Sequence, residues 1–204
     1  MEIAPLAATL RESSRHKVDL VTTGVGMVAT AAQCSRALAR TPYDLALNFG
    51  VCGSFDPTLT PGAVVHVVAD RLPELGAEDG ETFLTIQQLK LLDDDAFPFH
   101  EGELVNGTPP SNPTLSGLPA VSGITVNTVH GDERSIAEVT RRFHPQVETM
   151  EGAAFMYACL IADVPFAQVR AVSNVVERRN RESWWLAEAI ENLGTTARAI
   201  LQTL

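Results

Sequence analysis

The sequence predicts an α/β protein with a central mixed, largely parallel sheet that is flanked by helices. Segments with the composition of strands alternate along the chain with segments that have helical periodicity. Several strand segments are apolar throughout, which is typical of parallel sheets covered on both faces. The 204 residues are enough for one hydrophobic core, so we expect residues 1–204 to form a single domain.

The first part of the chain contains the clearest alternation of strands and helices. Glycine and proline separate the segments, as they do at turns. The predicted elements are, in order, a helix over 3–14, a strand over 18–23, a helix over 27–39, a strand over 44–49, a loop over 51–62 and a strand over 63–69.

The stretch 70–119 is less regular, and we expect surface segments there rather than a separate domain, with a strand or helix around residues 82–92. The alternation returns after it. The later elements are a strand over 122–129, a helix over 134–143, a strand over 147–150, a helix over 152–162, a strand over 164–172 and a helix over 181–204. Trp184 and Trp185 are adjacent on this last helix, so we expect one in the core and one at a pocket or an interface.

Composition narrows the class of partner. The formal net charge is -10, which argues against nucleic acid or an anionic membrane as the main partner. Cys34, Cys52 and Cys159 are far apart and odd in number, which favours a reduced, cytoplasmic setting. We find no apolar run that could cross a membrane, no signal segment and no Cys or His spacing typical of a metal site.

Polar residues and glycines follow several predicted strands. They lie at Gly24–Gly26, Gly50–Ser54, Met150–Glu151 and Ser173–Asn174. Ligands of α/β proteins bind beyond the carboxyl ends of the strands, so we expect these four segments to form one site.

The stretch that begins at Gly24 fits the glycine pattern of dinucleotide-binding turns. Such a site needs an acidic residue near the end of the next strand, whereas Asp44 lies at the start of that strand. A tight turn with close helix packing explains the glycines equally, which leaves NAD binding as the minor alternative.

The glycines at positions 50 and 53 allow a ligand to approach the backbone, although a plain turn would also use them. Cys52 between them is a conceivable nucleophile. No histidine lies in an obvious partner position, which favours a small buried thiol.

Glu151 lies where a short strand meets an apolar helix. A carboxylate at this point could be a surface residue that the helix dipole stabilises. The apolar residues after it predict that the junction is half-buried, and a buried charge is costly unless something binds it. Ribose hydroxyls would donate to this carboxylate, which makes a sugar ligand attractive.

Asn174 shares one face of a predicted strand with Arg170 and Val172. Its planar amide offers both a donor and an acceptor, so it could read the edge of a purine. A turn-forming asparagine is the alternative.

Four stretches, 23–31, 48–55, 147–155 and 169–184, together resemble the purine nucleoside phosphorylase and nucleosidase superfamily. Within it the pattern is similar to methylthioadenosine/S-adenosylhomocysteine nucleosidases and, more closely, to futalosine hydrolases of menaquinone biosynthesis. The resemblance covers nearly the whole chain and implies a nucleoside phosphorylase-like fold.

The resemblance assigns roles to these residues. Glu151 and Met150 would hold the ribose, and Asn174 occupies the position where methylthioadenosine enzymes keep an aspartate that assists protonation of purine N7. Asn174 and Glu2 are the implied catalytic residues. The implied substrate-binding residues are Val51, Cys52, Gly53, Met150, Glu151, Arg170 and Ser173.

The resemblance also favours water over phosphate as the nucleophile. The positions that hold an arginine and a serine for phosphate in related phosphorylases are here Asn48 and Val51. Hydrolases activate water with a glutamate near the start of the chain, for which Glu2 is the match. A strand precedes that glutamate in relatives, so we expect either that the first strand is lacking here or that Glu2 is not the equivalent residue.

We therefore expect hydrolysis of futalosine to hypoxanthine, because the amide of Asn174 suits the O6 and N7 acceptors of a 6-oxopurine. The reaction needs no metal or organic cofactor, the partner is a purine nucleoside, and the family implies a homo-oligomer. An adenine-releasing nucleosidase acting on aminodeoxyfutalosine or methylthioadenosine is one alternative. A non-catalytic nucleoside-binding module is another.

Overall fold

The computed structural model describes residues 16–204. The described helices are α1 (Met27–Arg40), α2 (Pro113–Ser116), α3 (Glu133–Phe143), α4 (Gly152–Ile161) and α5 (Leu186–Gln202), with a 3₁₀ turn at Arg181–Ser183. The described strands are β1 (Ala46–Ser54), β2 (Val64–Arg71), β3 (Gly76–Asp79), β4 (Thr82–Thr85), β5 (Phe99–His100), β6 (Glu103–Val105), β7 (Ala120–Thr125), β8 (Val147–Thr149) and β9 (Phe166–Val175).

The central sheet is mixed, as predicted, and it closes on itself. Its order is β5-β6-β2-β7-β8-β1-β9. The long β9 runs parallel to β1 and also pairs antiparallel with β2, with Val64 opposite Ala171. Because β9 joins the two ends, strands β2, β7, β8, β1 and β9 form a small barrel. The carboxyl ends of β1 and β9 therefore lie side by side, and the antiparallel β8 begins beside them, with Val147 opposite Ser54.

Helices α4 and α5 cover the barrel, and their sequences explain why. Helix α4 is apolar almost all round, with Phe155 and Met156 buried among its small residues, as expected for a helix enclosed in a core. Helix α5 buries one stripe that includes Ala189, Leu193 and Ala197. This stripe packs against β9 and β1.

The two strands that end at the site are longer than the sequence predicts. Strand β1 continues through Gly50 to Ser54, so the predicted loop over 51–62 is wrong for its first four residues. Strand β9 continues to Val175. Glycines suggested an early end, but each extended strand keeps its ladder partners, with Gly53 opposite Glu148 and Asn174. Helix α5 likewise begins five residues later than predicted.

The predicted strand over 18–23 is wrong. Residues 17–24 have no regular secondary structure, and Val18 and Val21 are exposed. Apolar β-branched residues form a strand only beside a partner, and among residues 16–204 none forms a ladder with this segment. The predicted helix over 3–14, the expected absence of a first strand and Glu2 fall outside the described residues.

The stretch 70–119 adds small strands around the barrel. Strands β3 and β4 form a separate hairpin, and turns rather than a helix follow Thr85. Strands β5 and β6 extend the main sheet beside β2. The expectation that one tryptophan lies in the core is wrong, because Trp184 is half-buried and Trp185 is exposed. In the described chain no helix is long and apolar enough to span a membrane.

Candidate active site

The carboxylate of Glu151 stands at the junction of β8 and α4 without capping the helix. Glu151 occupies the N-cap position, but its side chain accepts no hydrogen bond from α4. The hydroxyl of Thr149 accepts from the Gly152 N–H at 3.0 Å, and that of Thr125 accepts from the Ala153 N–H at 2.7 Å. These two threonines satisfy the helix start, which leaves the carboxylate available for another partner.

The turn before α1 holds this carboxylate in place. The backbone N–H of Gly26 donates to Oε1 of Glu151 at 3.0 Å. Gly26 has φ +90°, a conformation that favours glycine, and it begins α1. The glycine turn therefore presents an amide to a carboxylate of the same chain, where a dinucleotide site would present it to a pyrophosphate. Asp44 is exposed and lies two residues before the start of β1, not at the strand end where a dinucleotide site needs its acidic residue. Its position therefore also disfavours the NAD alternative.

Asn174 lies near the end of β9 and is oriented by its neighbours. The Ser173 hydroxyl donates to Oδ1 of Asn174 at 2.8 Å, and Nδ2 of Asn174 donates to the Val175 carbonyl at 2.9 Å. The Ser173 hydroxyl also lies 3.2 Å from the Cys52 carbonyl. A Cβ at Gly53 would overlap Cγ2 of Val176 at 2.8 Å and lie 3.4 Å from Asn174 Nδ2, so this glycine makes room for Val176 beside the amide. The amide keeps one N–H for a ligand.

Arg170 is buried and belongs to a chain of polar side chains under the site. Its Nε donates to Gln168 at 3.1 Å, and its Nη2 contacts Oδ1 of Asn48. Gln168 in turn donates to Asp70 at 3.1 Å. Gly50 leaves room for the guanidinium, since a Cβ there would overlap Nη1. The sequence predicted that Gly50 lets a ligand approach the backbone, whereas in the structure the space beside it is filled by Arg170.

Asp70 ends this chain in a fully buried position. Thr125 donates to its Oδ1 at 2.9 Å and Gln168 to its Oδ2. Burial raises the pKa of Asp70 to about 6, although the hydrogen bonds from Gln168 and Thr125 and the charge of Arg170 act in the opposite direction. Asp70 accepts a hydrogen bond from Thr125, the same residue whose hydroxyl caps α4, so it helps to position the helix start next to Glu151.

Cys52 and Val51 place their side chains in two apolar clusters of the core. Cys52 lies in an apolar cluster with Val65 and Val172, and burial raises the pKa of its thiol to about 12. A thiol of this kind is protonated at neutral pH, which agrees with the buried, unreactive cysteine. Val51 packs with the residues that face α5. That these two residues contact the substrate stays a prediction, and because their side chains are packed in the core, such contacts would have to involve their backbone atoms.

A pocket lies beside Asn174 and contains two residues that sequence reasoning missed. Gly53, Asn174 and Trp184 line it together with His130 and Glu148. The histidines were considered only as metal ligands or as partners of a cysteine, although His130 follows the predicted strand over 122–129 directly. Met150 is half-buried at the end of β8. Within residues 16–204, His, Cys, Asp and Glu form no cluster of three or more that could hold a metal ion.

Comparison with known proteins identifies the family of the chain. The family model "Phosphorylase superfamily" matches residues 7–204. Futalosine hydrolase of Thermus thermophilus is 31% identical over 185 residues, which cover 88% of this chain and 79% of the relative. Futalosine hydrolase of Streptomyces coelicolor is 31% identical over 188 residues, which cover 86% of this chain and 74% of the relative.

A solved structure with the same fold is the 5'-methylthioadenosine/S-adenosylhomocysteine nucleosidase of Colwellia psychrerythraea in complex with adenine. Its TM-score is 0.74 at 21% identity, and the match covers 100% of this chain and 92% of that one. The family resemblance predicted from the four stretches is confirmed by the matches in sequence. The chain belongs to the phosphorylase superfamily and, within it, to the futalosine hydrolase family.

Proposed function

We propose that the protein hydrolyses the N-glycosidic bond of futalosine and releases hypoxanthine. The observation that carries the proposal is the Glu151 carboxylate, which Gly26 orients and which α4 does not use as a cap. Such a carboxylate suits the hydroxyls of a ribose. Family membership supports the same activity.

In the proposed reaction Glu151 and Met150 hold the sugar while positive charge develops at C1′. The bond between C1′ and the base breaks, and its electron pair leaves with the purine. Asn174 donates a hydrogen bond to the purine edge and stabilises the negative charge that develops there. Water attacks C1′ on the opposite face and loses one proton, while the departing purine anion takes up one proton from solvent. The stabilised oxocarbenium-like state provides most of the rate.

The surroundings of Arg170 favour water as the nucleophile. Its guanidinium is buried and hydrogen-bonded to Gln168 and Asn48. Asn48 stands at the position of the phosphate-binding arginine of related phosphorylases. The positive charge of Arg170 is therefore engaged by the protein's own amides and not by a phosphate. Glu2 is the proposed base for the water. Its role stays a prediction, as do the contacts proposed for Val51 and Cys52.

Glu151→Gln tests the central residue. Gly26 can only donate, so the oxygen of the new amide must face Gly26, and the NH₂ group then replaces the acceptor that ribose needs. We expect kcat/KM for futalosine to fall roughly 100-fold, because hydrogen bonds to a charged acceptor are lost. Glu191→Gln, an exposed change on α5, is the matched control. Equal activity of both variants would contradict the assignment.

We further propose that residues 1–204 act as one domain, in the cytoplasm and in menaquinone biosynthesis, and that the enzyme is a homo-oligomer. Val25 and Val28 are 78% and 83% exposed around the start of α1, close to Glu151, and a second copy of the chain would cover them. Light scattering at several protein concentrations tests the oligomer, and a monomer throughout would contradict it.

A further inference from the structure

The pocket beside Asn174 contains a histidine and a glutamate that the proposed reaction has not used. Glu148 lies in the middle of β8 and its side chain is only 4% exposed. His130 lies in the turn after β7, and its side chain is 13% exposed. Both line the same pocket as Asn174 and Gly53. A purine held by Asn174 would therefore lie close to this pair.

Glu148 fixes the position of His130 through two contacts. The backbone N–H of His130 donates to Oε1 of Glu148 at 3.0 Å, and the ring Nδ1 of His130 contacts Oε2. The edge of the imidazole also packs against Phe55, with 6.1 Å between the ring centroids. The ring is thus held on its Nδ1 side, and within residues 16–204 its Nε2 makes no hydrogen bond.

The contact between Nδ1 and Glu148 also determines which nitrogen of the neutral imidazole carries the proton. A carboxylate only accepts hydrogen bonds, so Nδ1 must donate to it. In a neutral imidazole one nitrogen is a donor and the other an acceptor. With the proton on Nδ1, Nε2 presents a lone pair.

We propose that Nε2 of His130 determines base specificity by accepting a hydrogen bond from N1–H of a 6-oxopurine. This inference rests on the proposed function. Hypoxanthine carries a hydrogen on N1, whereas N1 of adenine is itself an acceptor and would face the lone pair of Nε2. Asn174 donates its remaining N–H to the edge that carries O6 and N7, and His130 reads the next position on the same base. The two residues together select hypoxanthine over adenine.

Glu148→Gln inverts the polarity of Nε2 without changing the shape of the pair. The backbone N–H of His130 can only donate, so the single oxygen of glutamine must face it. The NH₂ group then donates to Nδ1, which becomes the acceptor and moves the imidazole proton to Nε2. The inverted imidazole donates to N1 of adenine and opposes N1–H of hypoxanthine. His130→Ala removes the imidazole, so no group remains there to distinguish N1–H of hypoxanthine from N1 of adenine.

Calorimetric titration with free hypoxanthine and free adenine tests the inference on the whole protein. We expect the native protein to bind hypoxanthine more tightly than adenine. The ratio of the two affinities should fall about 10- to 100-fold in His130→Ala, because one buried hydrogen bond is lost. It should reverse in favour of adenine in Glu148→Gln, and Glu191→Gln should leave it unchanged.

A structural role for the pair would weaken both bases equally in both variants, and that result would overturn the inference. Binding of neither base by the native protein would overturn it as well. Turnover of futalosine is measured separately on the native protein. Intact base discrimination without release of hypoxanthine would contradict the proposed function and leave the specificity inference standing.

Discussion

The buried carboxyl group of Asp70 should make the stability of the protein depend on pH in an unusual direction. Asp70 is completely enclosed, and burial is the main cause that raises its pKa from 3.8 to about 6. In the unfolded chain the same group loses its proton near its ordinary pKa. Between these values the folded state therefore binds more protons than the unfolded state.

The sign and size of the effect follow from this difference. Because the folded pKa is raised, the stabilisation from protonated Asp70 is complete below pH 3.8 and is lost as the pH rises towards 6. A shift of about two pKa units corresponds to roughly 3 kcal/mol in the free energy of unfolding. Ordinary surface carboxylates contribute in the opposite direction, so the effect must be isolated by a variant.

Asp70→Asn removes the titration while keeping the size of the side chain. Its amide disturbs the hydrogen bonds from Gln168 and Thr125, so we expect a lower stability at every pH. Urea unfolding of both proteins between pH 4 and pH 7 gives the difference between their free energies. We expect the advantage of the native protein to shrink by about 2 kcal/mol as the pH rises over this range. A difference that is constant across this range would refute the reasoning.

Three further predictions concern the site. Asn174→Asp replaces the amide donor by a carboxylate, so the ratio of kcat/KM for futalosine to that for aminodeoxyfutalosine should fall roughly tenfold; an unchanged ratio would show that Asn174 does not read the base. Gly152→Ala places a Cβ against Gln168 and Asp70, so urea unfolding should show that the free energy of unfolding falls by about 1–3 kcal/mol. Ala187→Gly, at an exposed position of α5, is the control and should cost less than about 1 kcal/mol. Equal costs would contradict the tight packing around Gly152. Glu2→Gln should slow the hydrolysis of futalosine with little change in KM, and full activity in a steady-state assay would exclude Glu2 as the base.

Local sequence predicted the features of this protein that depend on neighbouring residues. The junction at Glu151 could be inferred because a carboxylate before an apolar helix needs a partner, and the partner inside the protein proved to be Gly26. Asn174 was found by its position near the end of a strand. Its place beside a pocket follows from the long strand β9.

The features that the sequence did not reveal depend on distant parts of the chain. Closure of the barrel requires β9 to pair with both β1 and β2, and no local pattern encodes two partners. In the sequence Gly50 suggests a turn. Its actual role, to leave room for the side chain of Arg170, is visible only in the folded structure. His130 looked isolated because Glu148, its partner, lies 18 residues away.

The central claim is that this chain cleaves futalosine with water. Its most direct test is chromatography of the native protein incubated with futalosine, with and without phosphate, beside aminodeoxyfutalosine and methylthioadenosine. We expect hypoxanthine to appear from futalosine at a rate that phosphate does not change, and faster than adenine from the other two substrates. Release that requires phosphate would contradict the hydrolytic mechanism, faster release of adenine would contradict the assigned substrate, and a folded protein that releases no base would be a nucleoside-binding module.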